Sequence, residues 1–130
     1  MSLVRAQYHF RQTETGLDAW DIRKLIELTQ TFPTRLIRPS DITDLEVNYW
    51  YSDPNAIPSP NSILDHIRLI ETADISFPII LDQNGRVMDG MHRICRAILD
   101  KVDAIPAVQF RSDPTPDYKN CDPLSLPYID

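Results

Sequence analysis

One stretch constrains the fold of this chain more than any other. Phe77-Pro78-Ile79-Ile80-Leu81 is a short apolar run, Asn84-Gly85 follows, Arg86-Val87-Met88 returns, and Asp89-Gly90 leads directly into Met91-His92-Arg93-Ile94-Cys95-Arg96-Ala97-Ile98-Leu99. Asn-Gly between two apolar runs predicts a two-residue hairpin turn, because both residues tolerate the positive φ that such a turn needs. The segment from Met91 predicts a helix with Met91, Ile94, Cys95, Ile98 and Leu99 on its apolar side and His92, Arg93 and Arg96 on the other. A hairpin feeding a helix through one glycine implies a small sheet with that helix across it.

The other segments fit around this unit. Trp20 to Leu28 reads as a helix near residues 21–30, capped by Asp21, with Trp20 packed on Leu25 and an end before Pro33. Arg35-Leu36-Ile37-Arg38 is a strand closed by Pro39, and Ser40 to Leu45 opens like a capped helical turn. A second helix is expected over about 61–72, with Ile63, Ile67 and Ile70 on one stripe, Asp65, Arg68 and Glu71 facing water, and His66 at the stripe's edge. Ile105 to Phe110 is a strand that Pro106 places near a sheet edge or a strand start. These elements predict one α+β domain over residues 1–110, a small mixed sheet covered by helices.

Eleven prolines against three glycines mark where helices and central strands are excluded, around Pro54, Pro58 and Pro60 and again from Pro114 to Pro127. Residues 111–130, with Leu124, Leu126, Tyr128 and Ile129 among four of those prolines, form an expected arm across the chain's own domain or a neighbour, a candidate surface for a homo-oligomer. No internal repeat and no low-complexity tract is present.

The charge excludes some functions. Lys+Arg 13 against Asp+Glu 19 gives net −6, the wrong sign for binding a DNA duplex through its phosphates. Residues 61–110 alone hold five basic and seven acidic groups. No apolar run approaches the roughly 20 residues that span a bilayer, and residues 1–16 lack the apolar core of a secretory signal, so no membrane association and a soluble, cytoplasmic protein are expected. Cys95 and Cys121 have no ligand-like spacing and are expected as reduced thiols. Asp41, Asp44 and Glu46 are the densest acidic group, read as a capped turn with a solvated face; no metal site is expected.

The chemistry concentrates where the hairpin meets the helix. Gly90 lets a ligand approach the backbone, the first free N–H groups from Met91 onward point at it, and His92, Arg93 and Arg96 add donors and charge. Cations in a first helical turn oppose the helix dipole, a local conflict that a bound anion would relieve. The alternative is that Arg93 and Arg96 pair with Asp89 and Asp100. Asn48-Tyr49-Trp50-Tyr51 either walls a pocket that stacks a flat ligand or packs over the hairpin and second helix, and His66 either points into the same cleft or is a satisfied histidine at the margin of its helix.

Asp89-Gly90-Met91-His92-Arg93, after a Pro-Ile-Ile strand and before Ala97, resembles the phosphate-binding motif of the ParB/sulfiredoxin-like superfamily, over about residues 35–110. The resemblance implies a nucleotide polyphosphate, ATP or ADP, held on Gly90, Met91, His92 and Arg93. Sulfiredoxins carry a cysteine where this chain has Met91, whose thioether is no attacking thiolate, so sulfinic-acid reduction is excluded. The kinase-like form of the motif has the aspartate matched here by Asp89. It implies Asp89 and His92 as catalytic residues of a small-molecule phosphotransferase, with Mg²⁺ as cofactor. The alternatives are a non-catalytic module that recognises a phosphorylated or acidic partner, as in a bacterial operon-encoded complex, and a ParB-like nuclease or DNA-associated protein. The roughly twenty residues after the last strand are too few for the helix-turn-helix domains that follow in ParB, so none is expected within residues 111–130.

Overall fold

The computed structural model describes residues 7–52 and 56–128. The expectations placed on Pro54 and Ile129 fall outside them. Around the predicted hairpin, four strands form one mixed sheet: β3 (Arg35–Ile37), β6 (Ile105–Gln109), β4 (Ile79–Leu81) and β5 (Val87–Asp89), in that spatial order. β4 runs parallel to β6, with Ile79 opposite Ala107, and antiparallel to β5; β3 runs antiparallel to β6. Among the described residues three α-helices accompany the sheet, α1 (Ile22–Thr29), α2 (Pro60–Glu71) and α3 (Met91–Leu99), an α+β fold.

β4 and β6 are buried on both faces, which explains why they read as continuous apolar runs, whereas the edge strand β3 leaves Leu36 exposed. Successive side chains point to opposite faces. Ile79, Leu81, Val87, Ile105 and Ala107 therefore meet Met91, Ile94 and Ala97 of α3. Ile80, Met88, Val108 and Phe110 meet Trp20, Ile22 and Leu25 at the start of α1. Asp21 caps α1 by accepting from the Arg23 amide at 2.9 Å, and the helix ends at Thr29, before Pro33, as expected. Pro106 is the second residue of its strand, opposite Leu36 of β3 and one residue before the parallel ladder to β4 begins at Ala107, so it sits at a strand start of an interior strand and not at a sheet edge.

Several expectations are corrected. The hairpin turn is not two residues. Asp82 and Arg86 close a three-residue loop, Gly85 alone adopts positive φ (+81°), and a bulge at Ile80 and Leu81 absorbs the register shift. The Asp82 carboxylate causes this by accepting from the Asn84 and Arg86 amides at 2.8 and 2.9 Å. The stripe on α2 is rotated: Ile63 and Ile67 are 45% and 43% exposed, while Ser62, His66 and Ile70 are the half-buried positions. On α3, Ile98 and Leu99 are exposed as the helix end leaves the sheet, and the buried position is Ala97.

A further hairpin escaped the sequence reading: β1 (Tyr8–Gln12) pairs antiparallel with β2 (Leu17–Asp21). Its outer partner is the proline-rich arm. Ala19 and Tyr118 exchange both backbone hydrogen bonds, Trp20 Nε1 donates to the Pro114 carbonyl at 2.8 Å, and Leu126 is buried. Arg11 ties the ensemble together by donating to Asp82 and Asp113 while lying over the Trp20 ring. The arm therefore crosses its own domain.

Candidate functional site

β5 delivers the chain to Gly90, the N-cap of α3, at φ +111°. A Cβ there would lie 2.6 Å from Ile79 Cγ2 and 2.7 Å from Arg93 Nη2. Close packing of α3 on β4 thus requires this glycine, with or without a ligand. Because glycine has no capping side chain, the turn is left open. The Ile94 amide donates to the Gly90 carbonyl at 3.1 Å, whereas among the described residues no acceptor meets the amides of Met91, His92 and Arg93. The first turn carries no acidic residue. Three free amides at a helix N-terminus are an anion-binding geometry.

The three expected basic groups are placed differently from one another. Arg93 lies on this turn and donates to Asp89 at 3.0 Å, both side chains about one-fifth exposed, while its Nε is buried without a partner. Arg96 turns to the other end of the helix, donating to Asp100 at 2.6 Å and to the Glu71 carbonyl at the end of α2. His92 reaches across to α2, where its Nε2 lies 2.8 Å from His66 Nδ1.

Trp50 covers that histidine pair. Its ring is nearly parallel to both imidazoles, at 4.1 Å from His66 and 5.0 Å from His92, and the edge of Tyr51 meets His66 at 5.6 Å. Asn48 holds the segment by accepting from the Tyr51 amide and donating to its carbonyl. Tyr51 and Ser62 share a hydroxyl hydrogen bond at 3.0 Å. Burial, then the neighbouring His66 and Arg93, lowers the His92 pKa to about 4. Burial lowers His66 as well, against the opposing pull of Asp65. Both rings are neutral near pH 7, so the charge on this turn is that of Arg93, balanced by Asp89.

Beside the turn lies a cavity of about 170 Å³ between Tyr49, Trp50, Tyr51, Leu45, Met91 and Cys95. Trp50 and Tyr51 therefore both line a pocket and pack on α2. Cys95 is half-buried, with its thiol pKa raised by burial. The solvated role expected of Asp44 is corrected: it is 2% exposed and accepts from Arg86 Nε at 2.6 Å and from the Val87 amide at 2.7 Å. Tyr49 also reaches β5, donating to the Val87 carbonyl at 3.0 Å, and burial raises its pKa. Tyr49 thus packs over the hairpin, as one reading of the aromatic cluster has it, whereas sequence reading missed the structural role of Asp44. It named both His66 and His92 but gave no signal that they meet, since they stand 26 positions apart on different helices.

No family model matches the chain, and no curated protein matches it. Among solved structures it is similar to a Pnob8-like ParB-N domain, at 19% identity and a TM-score of 0.39, over 61% of this chain and 30% of that one. The match spans less than one third of that protein's length.

Proposed function

We propose that the first turn of α3 binds a phosphate-bearing ligand, in the first instance a nucleotide such as ATP or ADP. The observation that carries this reading is the set of free amides at Met91, His92 and Arg93, on a turn without acids and beside the unpartnered Nε of Arg93. Phosphate oxygens accept from amides and guanidinium alike, with charge-assisted bonds the stronger. The cavity sharing Met91 with this turn offers aromatic walls to a flat group.

The reading assigns Asp89 a conditional role. It is held by Arg93, and a phosphate that captures Arg93 would release the carboxylate to orient an acceptor hydroxyl in phosphoryl transfer. Among the described residues no group of three or more His, Cys, Asp or Glu could hold a metal, so Mg²⁺ would enter on the ligand's own phosphate oxygens. The second reading is a module that binds a phosphorylated or acidic partner without turnover. It is favoured by the Asp89–Arg93 pair remaining closed. Net charge −6 speaks against a DNA duplex as ligand, and no described helix is long and apolar enough to cross a membrane.

Titrating ADP and pyrophosphate by calorimetry tests the site, since the emission of Trp50 is overlaid by that of Trp20. Arg93→Ala should weaken binding by about 1.5–3 kcal/mol, roughly 10- to 150-fold, the range of a charge-assisted hydrogen bond. Unchanged or absent binding, with a clear loss of stability in Arg93→Ala, would make Arg93 a structural partner of Asp89 and overturn the reading. Turnover of ATP that the variant Asp89→Asn loses would select the phosphotransferase over the binding module.

A further inference from the structure

The His66–His92 pair is the cluster that the anion-site reading leaves unused. Its two rings come from different helices, share one hydrogen bond of 2.8 Å, and lie side by side against a single face of Trp50. Such a pair holds one bridging proton: one ring donates, the other accepts, and each keeps one nitrogen outside the bond. A proton added to the donor ring's outer nitrogen leaves the bridge intact and makes it charge-assisted. A second proton removes the acceptor and breaks the bridge, so the two additions are coupled.

The surroundings set what the first proton costs. From α2, Asp65 favours a cation on His66, but Arg68 already donates to it at 2.8 Å. From α3, Arg93 disfavours a cation on His92, while Arg96 is turned to Asp100 and the Glu71 carbonyl. From β5, Asp89 is occupied by Arg93. The segment before α2 contributes the rings of Trp50 and Tyr51. Among the described residues neither imidazole has an ion-pair partner, and burial opposes charging both. The missing ingredient is a negative charge near His92, and the free amides of the turn that carries His92 are where an anion would bring it.

Resting on the anion-site reading above, we propose that the His66–His92 pair takes up one proton when an anion occupies the first turn of α3, so that ligand binding and pH are coupled. An opposite charge within a few ångströms raises a histidine's pKa by about one to three units. Linkage then makes anion affinity rise up to tenfold per pH unit lowered, over the window between the free and the bound titration. The bridge keeps α2 and α3 joined through the first proton, and Trp50, lying over both rings, reports the change.

The chain has three histidines, and His9, in β1 and away from the pair, is an internal control. The experiment follows the histidine ring resonances by NMR from pH 3.5 to 8, with and without saturating pyrophosphate, and records the backbone amides of residues 91–93 in the same samples. The expected result is a rise of about one pKa unit or more for the pair, with His9 unmoved. Amide shifts at residues 91–93 without any shift of the pair would overturn this coupling and leave the anion site standing. No amide shifts at any pH would overturn both. Equal movement of all three histidines would overturn the coupling as well, since it would show a global change rather than a local charge.

Discussion

Replacing Gly90 by Ala separates two reasons for a glycine at this position. Its φ of +111° is a conformation that L residues enter at about 1–2 kcal/mol. The new Cβ would in addition lie 2.6 Å from Ile79 Cγ2 and 2.9 Å from Ile79 Cβ, against a fully buried side chain of β4. Forced overlap in a packed core costs about 1–3 kcal/mol more, giving about 2–5 kcal/mol in total. Gly85 is the matched control, because it also has positive φ (+81°) but its nearest new neighbour would be Gln109 Nε2 at 4.0 Å. Gly85→Ala should therefore cost only the conformational part, about 1–2 kcal/mol, and the unfolded-state entropy change is common to both variants and cancels in their difference. Urea unfolding of the two variants and the parent at one pH measures this. Gly90→Ala should be less stable than Gly85→Ala by about 1–3 kcal/mol, with an unchanged slope against denaturant. If the two variants agree within about 0.5 kcal/mol, the close approach of α3 to β4 does not constrain this position, and the packing explanation of Gly90 is wrong.

Asp44→Ala should destabilise by about 2–3 kcal/mol in the same assay, because the Val87 amide loses its acceptor inside the core while Arg86, half exposed, recovers water. A loss below about 0.5 kcal/mol would show that the carboxylate is dispensable. His9 and His92 are both held to a pKa of about 4 by burial, against 6.5 for free histidine. The unfolded chain thus binds more protons between these values; stability is full above pH 6.5 and falls as pH drops toward 4. Denaturation at pH 5 and pH 7 should show this fall, with on the order of two protons taken up on unfolding at pH 5, and a flat profile would refute the burial of both rings. Burial raises the thiol pKa values of Cys95 and Cys121, so iodoacetamide at pH 7 should label the native protein more slowly than the urea-unfolded chain. Equal rates would contradict it.

The sequence by itself determined the parts of this protein that depend on neighbours along the chain. The apolar runs at 79–81 and 105–110, the glycine before Met91, the Asp21 cap and the stop before Pro33 are local signals, and each element formed where its own residues specify it. The α+β class follows from their order. Local signals fail where a distant group decides. Asn84-Gly85 would make the tighter turn in isolation, but the Asp82 carboxylate holds a wider one. The miss at β1 is of another kind: Tyr8-His9-Phe10-Arg11 does alternate apolar with polar residues, a local strand signal that went unused, and β2 completes the pair.

At the site the division is similar. Sequence singled out Gly90, His92, Arg93, Arg96, Trp50, Tyr51 and His66, and all but the guanidinium of Arg96 are gathered about the start of α3. What each does there was settled by tertiary contacts. A side chain's charge and hydrogen-bonding state depend on the dielectric and the partners around it, and those partners stand on other elements. Gly90 is fixed by Ile79, His92 is kept neutral beside His66 and under Trp50, and Asp44, the residue assigned to solvent, is buried beneath Arg86. Residue types and spacing specify which groups are available, but only the packed structure specifies which of them are free.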